Sequence, residues 1–284
     1  MNIARRFVAG ERIEDAIAAV RRLNDRGMLA SIDFLGEDVH SMQDAVAVRG
    51  EYLLLLDALA DAGARSNVSI KLTALGLLVD RGLCAENVRA IVVRAADTTR
   101  RSLIDPFVRI DMEGSALTDT TLHVFEDVFA EYQNVGIVLQ AYLRRTPADV
   151  ARAIALGARV RLCKGAYKEP AAIAIHDMPG IRRAFVQLAE DLLTRGNYPA
   201  IATHDESLHN AVKTFASERG IAKDRFEFQM LYGVRPDLQE RLSAEGYRVR
   251  VYVPYGTHWA QYFYRRIRER RENALLALRA LVGR

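Results

Sequence analysis

The sequence predicts a single (β/α)8 barrel, and three observations carry that prediction. Eight short β-rich runs recur at near-even intervals, helical periodicity fills the gaps between them, and no linker rich in Pro, Gly or Ser breaks the chain. Residues 1–284 are expected to form one domain, with 1–28 as an N-terminal helical segment and 29–284 as the barrel. A doubly wound open sheet is the alternative, but eight near-equal units favour closure.

Taken in order, the runs are "LASIDFLG" from Leu29, "VSIKLTALG" from Val68, "FVRIDMEGS" from Phe107 and "GIVLQAYL" from Gly136. They continue with "RVRLCKGAY" from Arg159, "AIATHD" from Ala200, "FEFQMLYG" from Phe226 and "RVRVYVPYG" from Arg248. Before the first run, Ile13, Ile17, Val20 and Leu23 recur at helical spacing, which adds a helix to the eight units. Ala85 to Arg101 is helical in pattern. "RPDLQERLSAEG" has proline in its first turn and stops at Gly246.

Composition narrows the class. The chain of 284 residues is half hydrophobic, enough for a sizeable core. A net charge of +4 is milder than a dedicated nucleic-acid binder usually carries. Cys84 and Cys163 match no metal spacing, so no metal and a reduced, cytoplasmic setting are expected. No apolar run is long enough to span a membrane, which is compatible with peripheral contact at its inner face. Lysine is scarce: Lys71, Lys164, Lys168, Lys213 and Lys223 are all there are.

A barrel keeps its chemistry at the C-terminal ends of its strands. Alternation sends Ser69, Lys71 and Thr73 to one face and Val68, Ile70 and Leu72 to the other. The third run repeats this, with Arg109, Asp111 and Glu113 opposite Val108, Ile110 and Met112. In the fifth, Arg161 alternates with Leu162 and Lys164 begins the loop beyond. Such charges either form a buried network that fills the barrel or build a site. Burial costs several kcal/mol per ion unless paired, so plain stability is better served by Val or Leu. Gly165, beside Lys164, lets backbone approach a ligand such as a phosphate. Thr203 and His204 mark a further strand end. A lumen lysine also suggests a Schiff-base aldolase, although neighbouring acids would keep it protonated. A basic helix reading nucleic-acid backbone is the reading from another class.

"SIKLTALG", "RIDMEGS", "VRLCKGAYKEP", "IATHD", "FEFQMLYGVRPDLQ" and "VRVYVPYG" followed by "YFYRRIRER", in this order, resemble proline dehydrogenase, a flavin enzyme family. The resemblance runs from "ARRFVAGE" to the last helix, with Cys163 unusual. It implies a modified barrel whose last helix lies over the mouth, while the helix before the first strand fills the vacant outer place. It implies L-proline as substrate, FAD as cofactor, 1-pyrroline-5-carboxylate as product and a quinone as electron acceptor. A separate 1-pyrroline-5-carboxylate dehydrogenase would then take over the product.

The resemblance also implies roles. Arg265 and Arg266 would hold the proline carboxylate, with Lys71 and Asp111 at the substrate and Arg161 near the flavin ring. Met112, Gln140, Lys164, Gly165, Ala166, Thr203, His204 and Gln229 would line FAD. Leu231, Tyr252 and Tyr262 would wall the proline ring, and Glu37 would pair with Arg266 as a lid. Tyr262, Arg265 and Arg266 are spaced to share one helix face. A cationic surround of Lys71 and the two arginines is expected to favour the neutral amine and the reduced, anionic flavin. Only Met1 to Ile3 precede "ARRFVAGE", and the chain ends soon after the last helix, so a monofunctional form is expected.

Overall fold

The computed structural model describes residues 6–36, 39–99 and 107–259. Glu37, Tyr262, Arg265 and Arg266 lie outside the described residues, as does the helix expected over the mouth.

Eight parallel strands close into a barrel in sequential order, with β8 paired to β1. They are β1 (Leu29–Phe34), β2 (Ser66–Ile70), β3 (Val108–Ile110), β4 (Val135–Gln140), β5 (Val160–Cys163), β6 (Ala200–Ala202), β7 (Glu227–Leu231) and β8 (Arg248–Tyr255). The helices are α1 (Ile13–Asn24), α2 (Met42–Asp61), α3 (Arg81–Thr99), α4 (Thr118–Glu131), α5 (Thr146–Ala155), α6 (Met178–Arg195), α7 (Glu206–Glu218) and α8 (Pro236–Ala244). Closure, not an open sheet, follows from the eight near-equal units.

Local chemistry explains several boundaries. Ser41 caps α2 by accepting the Asp44 amide, worth about 1 kcal/mol. Pro236 starts α8, and Gly246, with φ +85°, follows its end. The third helix begins at Arg81, four residues before the expected Ala85, because Asp80 accepts the Leu83 amide at its start. The apolar halves of the strands pack outward against the helices in one continuous core that includes Ile32, Val68, Ile70, Ile110, Leu162 and Val251.

The added helix has a definite place. α1 packs against β8 and β1 and buries Ala16, Ala19, Val20 and Leu23. It therefore covers the outer face where those two strands meet. The backbone before it returns to the strand ends, with Ala9 N–H donating to Pro254 O and Gly256 N–H to Gly10 O.

Two strands are shorter than the run lengths suggest. β2 ends at Ile70, after which Leu72 takes an αR conformation and a 3-10 turn spans Thr73–Leu75. Gly76, at φ +96°, closes that turn. β3 ends at Ile110. Strict alternation therefore does not carry Thr73 and Glu113 into the lumen. Instead Glu113 accepts the Thr73 amide and hydroxyl, at 3.1 and 2.6 Å, and ties two rim loops together. Lys71 and Asp111 sit one residue past their strands, and Asp111 N–H still donates to Ile70 O.

Candidate active site

The lumen is polar in two layers. In the lower one Arg250 donates to Glu227 Oε1 at 2.8 Å and to Ala30 O at 2.8 Å, and Gln229 donates to the same Glu227. Arg109 reaches toward the barrel floor. It donates to Arg159 O at 2.6 Å and stacks over the Phe107 ring. Gly136 makes room for it, since a Cβ there would meet Arg109 Nη1 at 2.8 Å. This layer is the barrel-filling network that one sequence reading describes. Arg250 and Glu227, each about 2% exposed, offset one another's burial.

The upper layer is different, because it opens toward the mouth. Arg161 Nη1 donates to Asp111 Oδ1 at 2.8 Å, and its Nη2 donates to Ser69 Oγ at 2.9 Å. The Tyr252 hydroxyl donates to Asp111 Oδ2 at 2.9 Å. Lys71 Nζ donates to Asp33 Oδ2 at 2.6 Å and to Tyr252 at 3.3 Å, and lies 3.8 Å from Asp111 Oδ2. Four strands thus bring Lys71, Asp111, Arg161 and Tyr252 together as the sequence suggests, and add Asp33.

Among the described residues Lys71 and Arg161 face Asp33 and Asp111, so this layer is a charge-balanced quartet. Arg265 and Arg266, the other members of the expected cationic surround, lie outside the described residues. Burial raises the Asp33 carboxyl above its ordinary value, against the pull of the Lys71 ammonium. Lys71 Nζ stays engaged with that carboxyl at 2.6 Å. A lysine held in this way is a poor Schiff-base nucleophile, which removes the support for the aldolase reading.

A second group lines the strand ends of β4 to β7. Gln140 donates to Glu113 O at 2.9 Å, and Met112, two residues past β3, is buried. Gly165 adopts φ +114°, and a Cβ there would come within 2.1 Å of the Tyr142 ring. Lys164 and Arg182 both reach Asp205, at 3.5 and 2.8 Å. Burial raises Asp205, but hydrogen bonds from Ser207 and Arg182 and the Lys164 charge bring it down to about 2. His204 Nε2 accepts the Leu231 amide at 2.9 Å, which turns the ring and places its proton on Nδ1. Leu231 pairs in register with Tyr252, so β7 and β8 present both at the mouth. Cys163 and Ala166 are half-buried on either side of Lys164 and Gly165.

A family model described as proline dehydrogenase matches residues 16–276. The chain belongs to the proline dehydrogenase family. It is 43% identical over 279 residues to Proline dehydrogenase 1 of Bacillus subtilis (strain 168), covering 98% of this chain and 90% of that protein. It is 41% identical to Proline dehydrogenase of Deinococcus radiodurans, covering 99% and 90%. Among solved structures, proline utilization A from Bdellovibrio bacteriovorus, inactivated by N-propargylglycine, superposes with a TM-score of 0.85 at 26% identity. The chain spans 94% of itself and about a third, 32%, of that longer protein. The family is one of oxidoreductases of proline catabolism, and its barrel is the one described above.

Within this proline dehydrogenase barrel the sequence left three contributors unnoticed. Asp33 shares its parity with Ser31, opposite Ala30 and Ile32, so a charge at a lumen position was there to be read. Arg182 comes from α6 and carries no strand signal. His209, on α7, is buried and its Nε2 donates to Thr203 O at 3.0 Å, which braces the loop that holds Thr203 and His204.

Burial pushes His209 down to about 4 from an ordinary value near 6.5. The unfolded chain then binds the proton more readily than the folded one, so stability is full above about pH 6.5 and is lost as pH falls toward 4. At pH 5 the loss is about 2 kcal/mol from this residue alone. Thermal melts between pH 7 and 5 should show a shallower acid decline in His209→Gln than in the parent; equal slopes would contradict the assignment.

Proposed function

We propose that the protein oxidises L-proline to 1-pyrroline-5-carboxylate with FAD as hydride acceptor, and that the electrons pass to a quinone. The observation that carries this is the upper-layer quartet at the mouth of a barrel of the proline dehydrogenase family. Residues 1–284 act in it as one barrel domain.

The residues present suit a dinucleotide. Lys164 and Arg182 converge at the mouth, where their charge matches a pyrophosphate. Gly165 gives close backbone approach beside them, and Gln140, Thr203 and His204 supply hydrogen-bonding groups at the strand ends of β4 and β6, whereas Gln229, also assigned to FAD, donates to Glu227 deeper in the lumen. When bound, a flavin supplies the two-electron chemistry that amino-acid side chains lack.

The chain's own groups orient and shield. Asp111 fixes the Arg161 guanidinium on one side and the Tyr252 hydroxyl on the other, which sets the two walls between which the substrate ring lies. Tyr252 and Leu231 close the ring's flanks and exclude water. Arg265 and Arg266 are assigned the proline carboxylate, because paired guanidinium groups bind a planar anion in a fixed orientation. Since the quartet is balanced, the bias toward the neutral amine is assigned to these two arginines.

The experiment is anaerobic. The purified protein should show a flavin absorbance spectrum that bleaches on addition of L-proline, and reoxidises with a soluble quinone. A colourless protein that FAD cannot reconstitute would sink the cofactor assignment, and a flavin left oxidised by proline would sink the substrate assignment.

A further inference from the structure

Lys71 is a cation in a nearly dry place, its side chain 7% exposed. An ammonium there keeps its proton only if a counter-charge compensates its lost hydration. Among the described residues, the groups that face it come from several walls of the upper layer. β1 offers Asp33, the loop after β3 offers Asp111 and Glu113, β5 offers Arg161, and β8 offers Tyr252. Behind Asp33 stands Tyr52 of α2.

These candidates are not equivalent. Asp111 is 3.8 Å from Lys71 and already accepts from both Arg161 and Tyr252. Glu113 is engaged with Thr73. Asp33 is at 2.6 Å and 1% exposed; it also accepts weakly from the Tyr52 hydroxyl, at 3.4 Å, and shares a side-chain hydrogen bond with Tyr252. The Tyr52 hydroxyl donates mainly to Ser69 O, at 2.8 Å. Asp33 is therefore a buried carboxylate whose nearest counter-charge is the Lys71 ammonium.

We infer that Asp33 is a positioning residue of the proline site, which keeps Lys71 as an ammonium and aims its Nζ at Tyr252 and Asp111. What the ammonium is for rests on the proposed function; that Asp33 sets its charge and direction does not. Asp33 also shares a side-chain hydrogen bond with Tyr252, one of the substrate walls. Its effect passes through Lys71 and Tyr252.

The test reads the charge of Lys71 directly. Acetic anhydride acylates only the neutral amine, so the pH dependence of Lys71 acylation reports its protonation, with exposed Lys168 as internal reference. The full-length flavoprotein is labelled without proline, and the Lys71 peptide is followed by mass spectrometry. In the parent, acylation of Lys71 should still be rising where that of Lys168 has levelled. In Asp33→Asn, Lys71 should acylate roughly tenfold faster or more near pH 8, relative to Lys168. Asp33→Glu should return it toward the parent. Anaerobic flavin reduction in Asp33→Asn should also acquire a fall on the alkaline side of its pH profile, which a merely structural role would not produce.

A folded Asp33→Asn variant with the parent's labelling profile would overturn the inference. If that variant does not fold, the parent decides: a Lys71 that acylates at lower pH than Lys168 overturns it equally. Failure of the parent flavin to bleach with proline would count against the proposed function and leave the labelling result standing.

Discussion

Alanine at Asp111 is expected to slow flavin reduction by proline at least about a hundredfold, which corresponds to about 2.7 kcal/mol. Two partners lose their shared acceptor at once. Arg161, 6% exposed in its side chain, is left with Ser69 and Ser31, and the Tyr252 hydroxyl loses its 2.9 Å bond. Breaking a buried pair by removing one partner costs about 3–5 kcal/mol, so the melting temperature should fall as well. The two effects separate in Asp111→Asn. The amide oxygen can still accept from Tyr252, but its NH2 then faces Arg161, so the charge and that one acceptor are lost while the side chain's volume is kept. Stopped-flow measurement at saturating proline checks both, and an Asp111→Ala variant with parental reduction kinetics would remove the quartet from the mechanism.

The second large effect is expected at Gly165. Alanine there should yield protein that folds but retains little flavin. Its φ of +114° suits glycine and strains any other residue, at a cost of about 1–3 kcal/mol. The added Cβ would also overlap the Tyr142 ring at 2.1 Å. Tyr142 is 2% exposed and cannot simply swing aside. The loop must move instead, and with it Lys164 and Ala166. The ratio of flavin to protein absorbance after purification measures this. Tyr142→Ala combined with Gly165→Ala removes the overlap and keeps the backbone strain, so partial recovery of flavin content is expected. A Gly165→Ala protein with full flavin content would show that the loop is not part of the cofactor cradle.

The two lumen layers show why one set of residues supports two sequence readings. Both contain arginines paired with acids. At the floor, Arg109 and Arg250 donate to backbone carbonyls and Arg250 pairs with Glu227, which is a packing role. At the mouth, Arg161, Asp111, Lys71 and Asp33 leave hydroxyl and ammonium groups at the rim. Depth along the strand separates the two roles.

Some of this was legible without coordinates. Alternation in "VSIKL" and "FVRID" placed Lys71, Arg109 and Asp111 in the lumen, because strand side chains point to opposite faces with period two. Even spacing of eight runs implied closure, and the spacing of Ile13, Val20 and Leu23 implied an added helix. Those are local properties of the chain. What tertiary structure alone decided is who meets whom. The β1–β2 register sets Asp33 opposite Ser69, two residues before Lys71, so an acid 38 positions away becomes its counter-ion. Barrel closure brings Tyr252 of β8 onto Asp111 after β3, across 141 positions. The strand ends at Ile70 and Ile110 turned Thr73 and Glu113 from expected lumen groups into a rim clasp. Periodicity along one strand determines which face a charge occupies; only the stagger between strands determines whether that charge is paired.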